Sequence, residues 1–244
     1  STGGLQLDSN GNLINSGSLV ANKGAIDINV GNATIDNSGT VASSRANIDI
    51  DSATLANSGV VSSYDKTQAI TQQRITNTGT ISSGQLQLKT IDLDNRGLIE
   101  QTGSGSLEVK TQKLVNKDQA VVGQALYDNQ PTTTAPTLNS PPSTANTGSQ
   151  NQVVDNTSPS NPTPSPDAPS LPALTPVTAS GSITANTLTN ATSNAVITAN
   201  GNTAVQANDI SNTANSSIAV DKLITNNQQA GNRLNNDNSR IQIT

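Results

Sequence analysis

The stretch Ile75-Thr76-Asn77-Thr78-Gly79-Thr80-Ile81-Ser82-Ser83-Gly84-Gln85-Leu86-Gln87-Leu88 decides the fold. It opens on an aliphatic residue, a spacer, an Asn, a small residue and a Gly. Two short runs of alternating apolar and polar residues follow. The same opening recurs at Leu13–Asn15–Gly17, Ile35–Asn37–Gly39, Leu55–Asn57–Gly59 and Leu93–Asn95–Gly97. Its Asn steps by 22, 20, 20 and 18 residues along the chain. A sixth copy at Leu114–Asn116 has Asp118 in place of Gly. A period of about 20 residues marks a solenoid, in which each repeat is one unit too small to bury its own apolar face.

Alternation assigns the repeats to strands with one buried face, as in Ile26-Asp27-Ile28, Ile48-Asp49-Ile50 and Leu107-Glu108-Val109. A further aliphatic follows each Gly: Leu19, Val41, Val61, Ile81 and Ile99. Each repeat thus offers about three short strands. Helical spacing is absent, and Asn, Gly, Ser and Thr are poor helix formers. Three strands per turn, stacked about 4.8 Å apart, make a parallel β-helix with ladders of equivalent aliphatics. In this reading Gly17, Gly39, Gly59, Gly79 and Gly97 supply a positive φ at a corner. Asn15, Asn37, Asn57, Asn77 and Asn95 stack, their amides bonding the coils above and below.

Composition supports a thin, repetitive core. Aromatic content is 1%, with no Phe or Trp, so the interior is built from Ile, Leu, Val and Ala. There is no Cys, hence no disulfide and no thiolate metal site. The absence of His removes the commonest general base and every Ser-His-Asp scheme, which lowers the expectation of catalysis. No cofactor or metal is expected. The net charge of −5, without a basic patch, gives no footing for nucleic acid. No apolar run approaches the roughly 18 residues of a membrane span.

All eleven prolines fall between Pro131 and Pro176. This divides the chain into a β-helix over 1–127, a Pro/Ser/Thr-rich linker over 128–177, and degenerate β-helical repeats over 178–244. The last stretch echoes the Asn phrase without Gly, at Leu188–Asn190, Ile210–Asn212, Ile224–Asn226 and Leu234–Asn236. A disordered segment is the alternative there. Tyr64–Gln73 reads as an insertion that lengthens one loop. Asp49, Asp51, Asp92 and Asp94 alternate with Ile48, Ile50, Ile91 and Leu93, which predicts that the acids face solvent and the aliphatics point inward. Asn32, Asn156, Asn190 and Asn215 each begin an Asn-x-Ser/Thr sequence and are candidate glycosylation sites.

Leu13-Ile14-Asn15-Ser16-Gly17, Leu55-Ala56-Asn57-Ser58-Gly59 and the stretch from Ile75 to Leu88 resemble the filamentous haemagglutinin repeat. The resemblance covers 1–127 well and 178–244 loosely. It implies a right-handed parallel β-helix within a large exoprotein of Gram-negative bacteria. Such exoproteins leave by the two-partner route and include adhesins, haemolysins and contact-dependent inhibition proteins. The implied partners are an outer-membrane transporter, acting through an N-terminal secretion domain with no match here, and a receptor or glycan on a host-cell or bacterial surface. The Val-Glu-Asn-Asn boundary of inhibition toxins is also unmatched. The expectation is therefore a secreted, structural and adhesive shaft segment at the bacterial surface, not an enzyme. The alternatives are a shaft segment of a growth-inhibition effector and a β-helix polysaccharide-processing enzyme.

Overall fold

A computed structural model of the chain describes residues 3–124, 179–192, 194–198, 201–225 and 233–243. These residues belong to one compact unit. The expected linker, 128–177, and Asn156 within it lie outside the described residues. The described residues form no helix: parallel strands stack as a β-solenoid of about eight turns.

The first coil holds β1 (Leu5–Asp8), β2 (Leu13–Asn15) and β3 (Ser18–Ala21). The second holds β4 (Ile26–Asn29), β5 (Thr34–Asn37) and β6 (Thr40–Ser43). The next strands run round corners without a break: β7 (Ile48–Asn57), β8 (Val60–Asn77) and β9 (Thr80–Lys89). Short strands return in β10 (Asp92–Asn95), β11 (Leu98–Gln101), β12 (Ser106–Lys110), β13 (Lys113–Lys117) and β14 (Val121–Gln124). Beyond 178 come β15 (Ala179–Ala191), β16 (Val196–Thr198), β17 (Gly201–Thr213), β18 (Ser217–Val220) and β19 (Lys222–Thr225). The last coil closes with β20 (Leu234–Asp237) and β21 (Arg240–Ile243).

Every pairing joins equivalent strands of successive coils, so like residues stack. Leu13 pairs with Ile35, Ile35 with Leu55, Leu55 with Ile75, Ile75 with Leu93, and Leu93 with Leu114. The residues after the corner do the same, from Leu19 through Val41, Val61 and Ile81 to Ile99. The buried aliphatics form one continuous cluster, bordered by buried Asn, Ser, Thr and Gln. Burying each such side chain is worth about 1.5–3 kcal/mol, and each coil shares that gain with its neighbours. Ile75 is fully buried, with a relative in the coil on either side. Ile75→Asp should therefore lower unfolding free energy by about 4–5 kcal/mol through an unpaired buried charge. An unchanged melting temperature would contradict the inward ladder.

The two repeat regions are not separate stacks in the described residues. β15 pairs with both β12 and β13, and β16 pairs with β14. The coil begun at Ala179 thus lies directly on the coil that ends at Gln124. The irregular Asn spacing beyond 178 also resolves. Ile224 belongs to β19 and its side chain is only part-buried, and Asn226 lies outside the described residues. The stacked positions are Asn190, Asn212 and Asn236, whose steps are 22 and 24 residues. The expected lengthened loop at Tyr64–Gln73 is instead part of β8, which turns a corner at Tyr64 and pairs with β7 and β9, with register irregularities between Ser63 and Lys66 and between Thr71 and Arg74. Tyr64 lies at the corner, 50% exposed.

Candidate functional site

The feature that organises the molecule is a single file of asparagines. Asn15, Asn37, Asn57, Asn77, Asn95, Asn116, Asn190, Asn212 and Asn236 stand at the ends of β-strands, one per coil. From each of the first eight, Nδ2 donates to Oδ1 of the next Asn at 2.7–2.9 Å. The same Nδ2 also reaches a backbone carbonyl of the next coil. Asn37 bonds Val60, Asn57 bonds Thr80, Asn77 bonds Leu98 and Asn95 bonds Val121 in this way. The main-chain carbonyl of Asn37 accepts from both Ser58 and Gly59. All but the last Asn are buried. A primary amide offers two donors and a two-lone-pair acceptor, so Asn can satisfy its own polar atoms and the bend's backbone together.

The glycines beside this file do a different job from the expected one. Gly17, Gly39, Gly59, Gly79 and Gly97 do not have left-handed φ; among the described glycines a positive φ occurs at Gly31, at 56°. At Gly39, Gly59, Gly79 and Gly97 the requirement is space. A Cβ on Gly39 would stand 2.1 Å from the carbonyl oxygen of Gly17. On Gly59, Gly79 and Gly97 it would stand 2.0, 2.1 and 2.1 Å from the equivalent oxygen one coil below. The corner is so tight that its backbones nearly touch, and only hydrogen fits between them.

Where the glycine row stops, the corner changes shape. In the first five coils three residues lead from Asn to the next strand's paired position, as from Asn95 to Leu98. From Asn116 to Val121 the step is five, and from Asn212 to Ser217 it is five again. The added residues take left-handed φ: Asp118 (60°), Gln119 (66°), Thr192 (67°), Ala214 (58°) and Asn215 (62°). Loss of Gly is thus not decay of the repeat. It accompanies a longer corner built on left-handed residues.

Side chains tie the coils across 125–178. Asn116 donates to Asn190 Oδ1 at 2.9 Å. Thr192 Oγ1 accepts from the Asp118 N–H at 2.9 Å and donates to the Asp118 carboxylate at 3.0 Å. Thr203 Oγ1 donates to Gln124 Oε1 at 2.6 Å. Strand pairing on all three faces crosses the same boundary. Replacing 125–178 by a corner matching Thr102–Gly105 in length should leave the β spectrum unchanged and the melting temperature within a few degrees. Loss of cooperative unfolding in that variant would show that the stretch holds the coils together.

The outward side chains are sorted by face. Asp49 and Asp51 lie on one face and Asp92 and Asp94 on another, so the four carboxylates point outward, as expected, and do not converge. Ile91 departs from the reading: it sits at the corner before β10 and is 44% exposed, while Leu93 is buried. Asp92 pairs with Arg74 at 3.3 Å. Asp94 meets Arg96 at 3.5 Å and Lys117 at 3.7 Å, and Arg96 also reaches Asp118 at 3.5 Å. These exposed pairs are worth roughly 0–1 kcal/mol each. Thr54, Gln73, Arg74, Ile91 and Asp92 line an open recess on this edge, where the Arg74–Asp92 pair satisfies itself. Among the described residues no group of three potential metal ligands converges, and no helix is long and apolar enough to cross a membrane.

Among the described residues, the carboxyls of Asp49, Glu100 and Glu108 are shifted from their usual range. Partial burial raises Glu100, while the Lys110 ammonium lowers Glu108. Asp49 is raised by partial burial first; Lys66 lowers it, and Asp27, its partner one coil below, raises it. Its contribution to stability is therefore present below its unfolded pKa and lost as pH rises through the folded value. Asp27→Asn should move the Asp49 titration down, read by carboxyl-carbon NMR. An unmoved midpoint would show that the two carboxylates do not feel each other.

The candidate glycosylation sites separate. Asn32 and Asn215 are exposed at corners, whereas Asn190 is buried inside the amide file, out of reach of any transferase in the folded chain. Comparison of the chain with protein families, curated proteins and solved structures finds no match in any of the three.

Proposed function

We propose that this chain is a shaft segment of a secreted, filamentous-haemagglutinin-like exoprotein at the surface of a Gram-negative bacterium. In this role it holds adhesive surfaces or distal domains away from the cell and performs no catalysis itself. The observation that carries the reading is the amide file, which runs from Asn15 to Asn236 in eight consecutive steps. Each of the first eight asparagines commits its side-chain amide to the next coil. The dispersed carboxylates and the self-satisfied Arg74–Asp92 recess agree with a load-carrying role. The repeat resemblance supplies the export route, through an outer-membrane partner, and the class of receptor, a cell-surface protein or glycan.

The test is a pair of changes in the parent exoprotein displayed on bacteria. Deleting the coils of this chain should reduce attachment to target cells. Putting an unrelated solenoid of equal length in their place should restore it. Attachment indifferent to the deletion would overturn the reading. Failure of the replacement would assign the receptor contact to the outward faces of these coils.

A further inference from the structure

We propose that two copies of this chain pair side by side through one face of the solenoid, with both shafts pointing the same way. The pairing goes beyond the shaft reading and uses neither end of the stack. The face is the sheet of β3, β6, β11, β14, β16 and β18, with residues 60–63 of β8 and 80–83 of β9. No described strand lies across it. Between Ser18 and Ala219 its outward positions hold one charge, Glu100. The other two faces are charged, with Asp27, Asp49, Lys89 and Lys110 on one and Arg74, Asp92, Asp94 and Lys113 on the other.

The outward side chains of this face stand in two columns about 6.8 Å apart. From the second coil to the seventh, one column reads Thr40, Val60, Thr80, Leu98, Val121 and Val196, a ridge of branched side chains. The column beside it is low, with Ala42, Ser62, Ser82 and Gly123. Val60 is 37% exposed, and Leu98, Val121 and Val196 are part-buried. A two-fold axis along the shaft lays the ridge of each copy over the low column of the other. Val60 then faces Ser62, Thr80 faces Ser82 and Val121 faces Gly123, each coil meeting the same coil. A two-fold axis across the shaft would set ridge on ridge, so the relief of the face selects the parallel arrangement. Glu100 faces Leu98 of the other copy, and its neighbours in the column, Ser82 and Gly123, are uncharged.

Area and spacing select a second copy as the occupant. Along about eight coils the face is about 38 Å tall, and a strand makes it about 13 Å wide. Each copy therefore offers about 500 Å², and two copies together reach the roughly 1,000 Å² at which specific association begins. The rows repeat at the strand spacing of about 4.8 Å, so another stack of the same rise meets them row for row. A strongly charged partner finds a single charge here, and one extended peptide covers one row. The contact is isologous, so it closes at two copies.

Sedimentation equilibrium of the whole chain tests this. With rising concentration the weight-average mass should climb toward double the 24.9 kDa of one chain and stop there. Thr80→Arg should hold the mass at one chain and leave the β spectrum intact, since Thr80 points outward. Should that variant fail to fold, Ser62→Arg replaces it. Gln87→Arg, on another face, should leave the pairing unchanged. Glu100→Gln should lower the concentration of half-association at least about threefold, because it takes a carboxylate out of the contact. Orientation is read by cross-linking, since the chain has no Cys of its own. A short bis-maleimide should join Val60→Cys chains to Ser62→Cys chains at least about fivefold more efficiently than to Thr198→Cys chains, because Thr198 lies four coils away, about 19 Å. A constant 24.9 kDa, growth past two copies, or pairing undiminished in Thr80→Arg would overturn the proposal. So would weaker pairing in Glu100→Gln or equal yields in the two cross-linking mixtures. A monomer with an intact β spectrum rejects the pairing and leaves the solenoid and the shaft reading in place.

Discussion

Asn77→Ala should lower the unfolding free energy by about 3–5 kcal/mol, the largest loss expected from removing one polar side chain here. Asn77 is fully buried. It accepts from Asn57 at 2.8 Å and donates to Asn95 Oδ1 at 2.8 Å and to the Leu98 carbonyl at 3.1 Å. Truncation takes one partner from the Asn57 amide below and from the Asn95 and Leu98 oxygens above. Each stranded buried group costs about 1–3 kcal/mol, because no water replaces the partner. The terminal rung supplies the control. Asn236 is exposed, so Asn236→Ala should cost about 1 kcal/mol or less. Urea unfolding of both variants measures the difference. Equal losses at the two rungs would mean that the file is decorative.

Gly59→Ala should be nearly as damaging, at about 3–5 kcal/mol, although it adds one methyl group. The new Cβ would stand 2.0 Å from the Gly39 oxygen and 2.7 Å from the Ser38 carbonyl carbon. Both are backbone atoms held by the inter-coil bonds from Ser58 and Gly59 to the Asn37 carbonyl, at 2.8 and 3.0 Å. Relief requires the corner to open and those bonds to stretch. Gly17→Ala offers the opposite expectation. Nothing lies within 4 Å of its Cβ, and its φ is not left-handed. Alanine there should be neutral or stabilising by about 0.5 kcal/mol, through a less free unfolded chain. If Gly59→Ala proved as mild as Gly17→Ala, close packing of the corners would be wrong.

These two predictions mark what could be read from residues alone. The Leu and Ile rungs and the role of Asn were legible because alternation and amide valence are local properties. The task of Gly was not. A glycine chosen for its φ and one chosen for lack of a Cβ look alike in sequence, and the crowding atom lies about 20 positions away. The coils beyond 178 were legible only as echoes. Their Asn rungs are sound, but the corner gained residues, so a search for Asn followed by Gly found a weakened repeat. Ile224–Asn226 copied the phrase and disturbed the count, while Asn190 read equally as a rung and as a sugar acceptor. Burial separates the two, and burial is a property of the stack.

The direct seating of Ala179–Ala191 on β12 and β13 has a consequence for continuity of the chain. Among the described residues, the coils on either side of 125–178 recognise each other through their own strands, Asn116, Asn190 and Thr203. A tether sets how often two surfaces meet, not how well they fit. Severing the chain between Gln124 and Ala179 exchanges a fixed effective concentration for the bulk one and leaves these strand pairings and side-chain bonds in place. The described coils are in this sense already two complementary pieces, held by a shared grain.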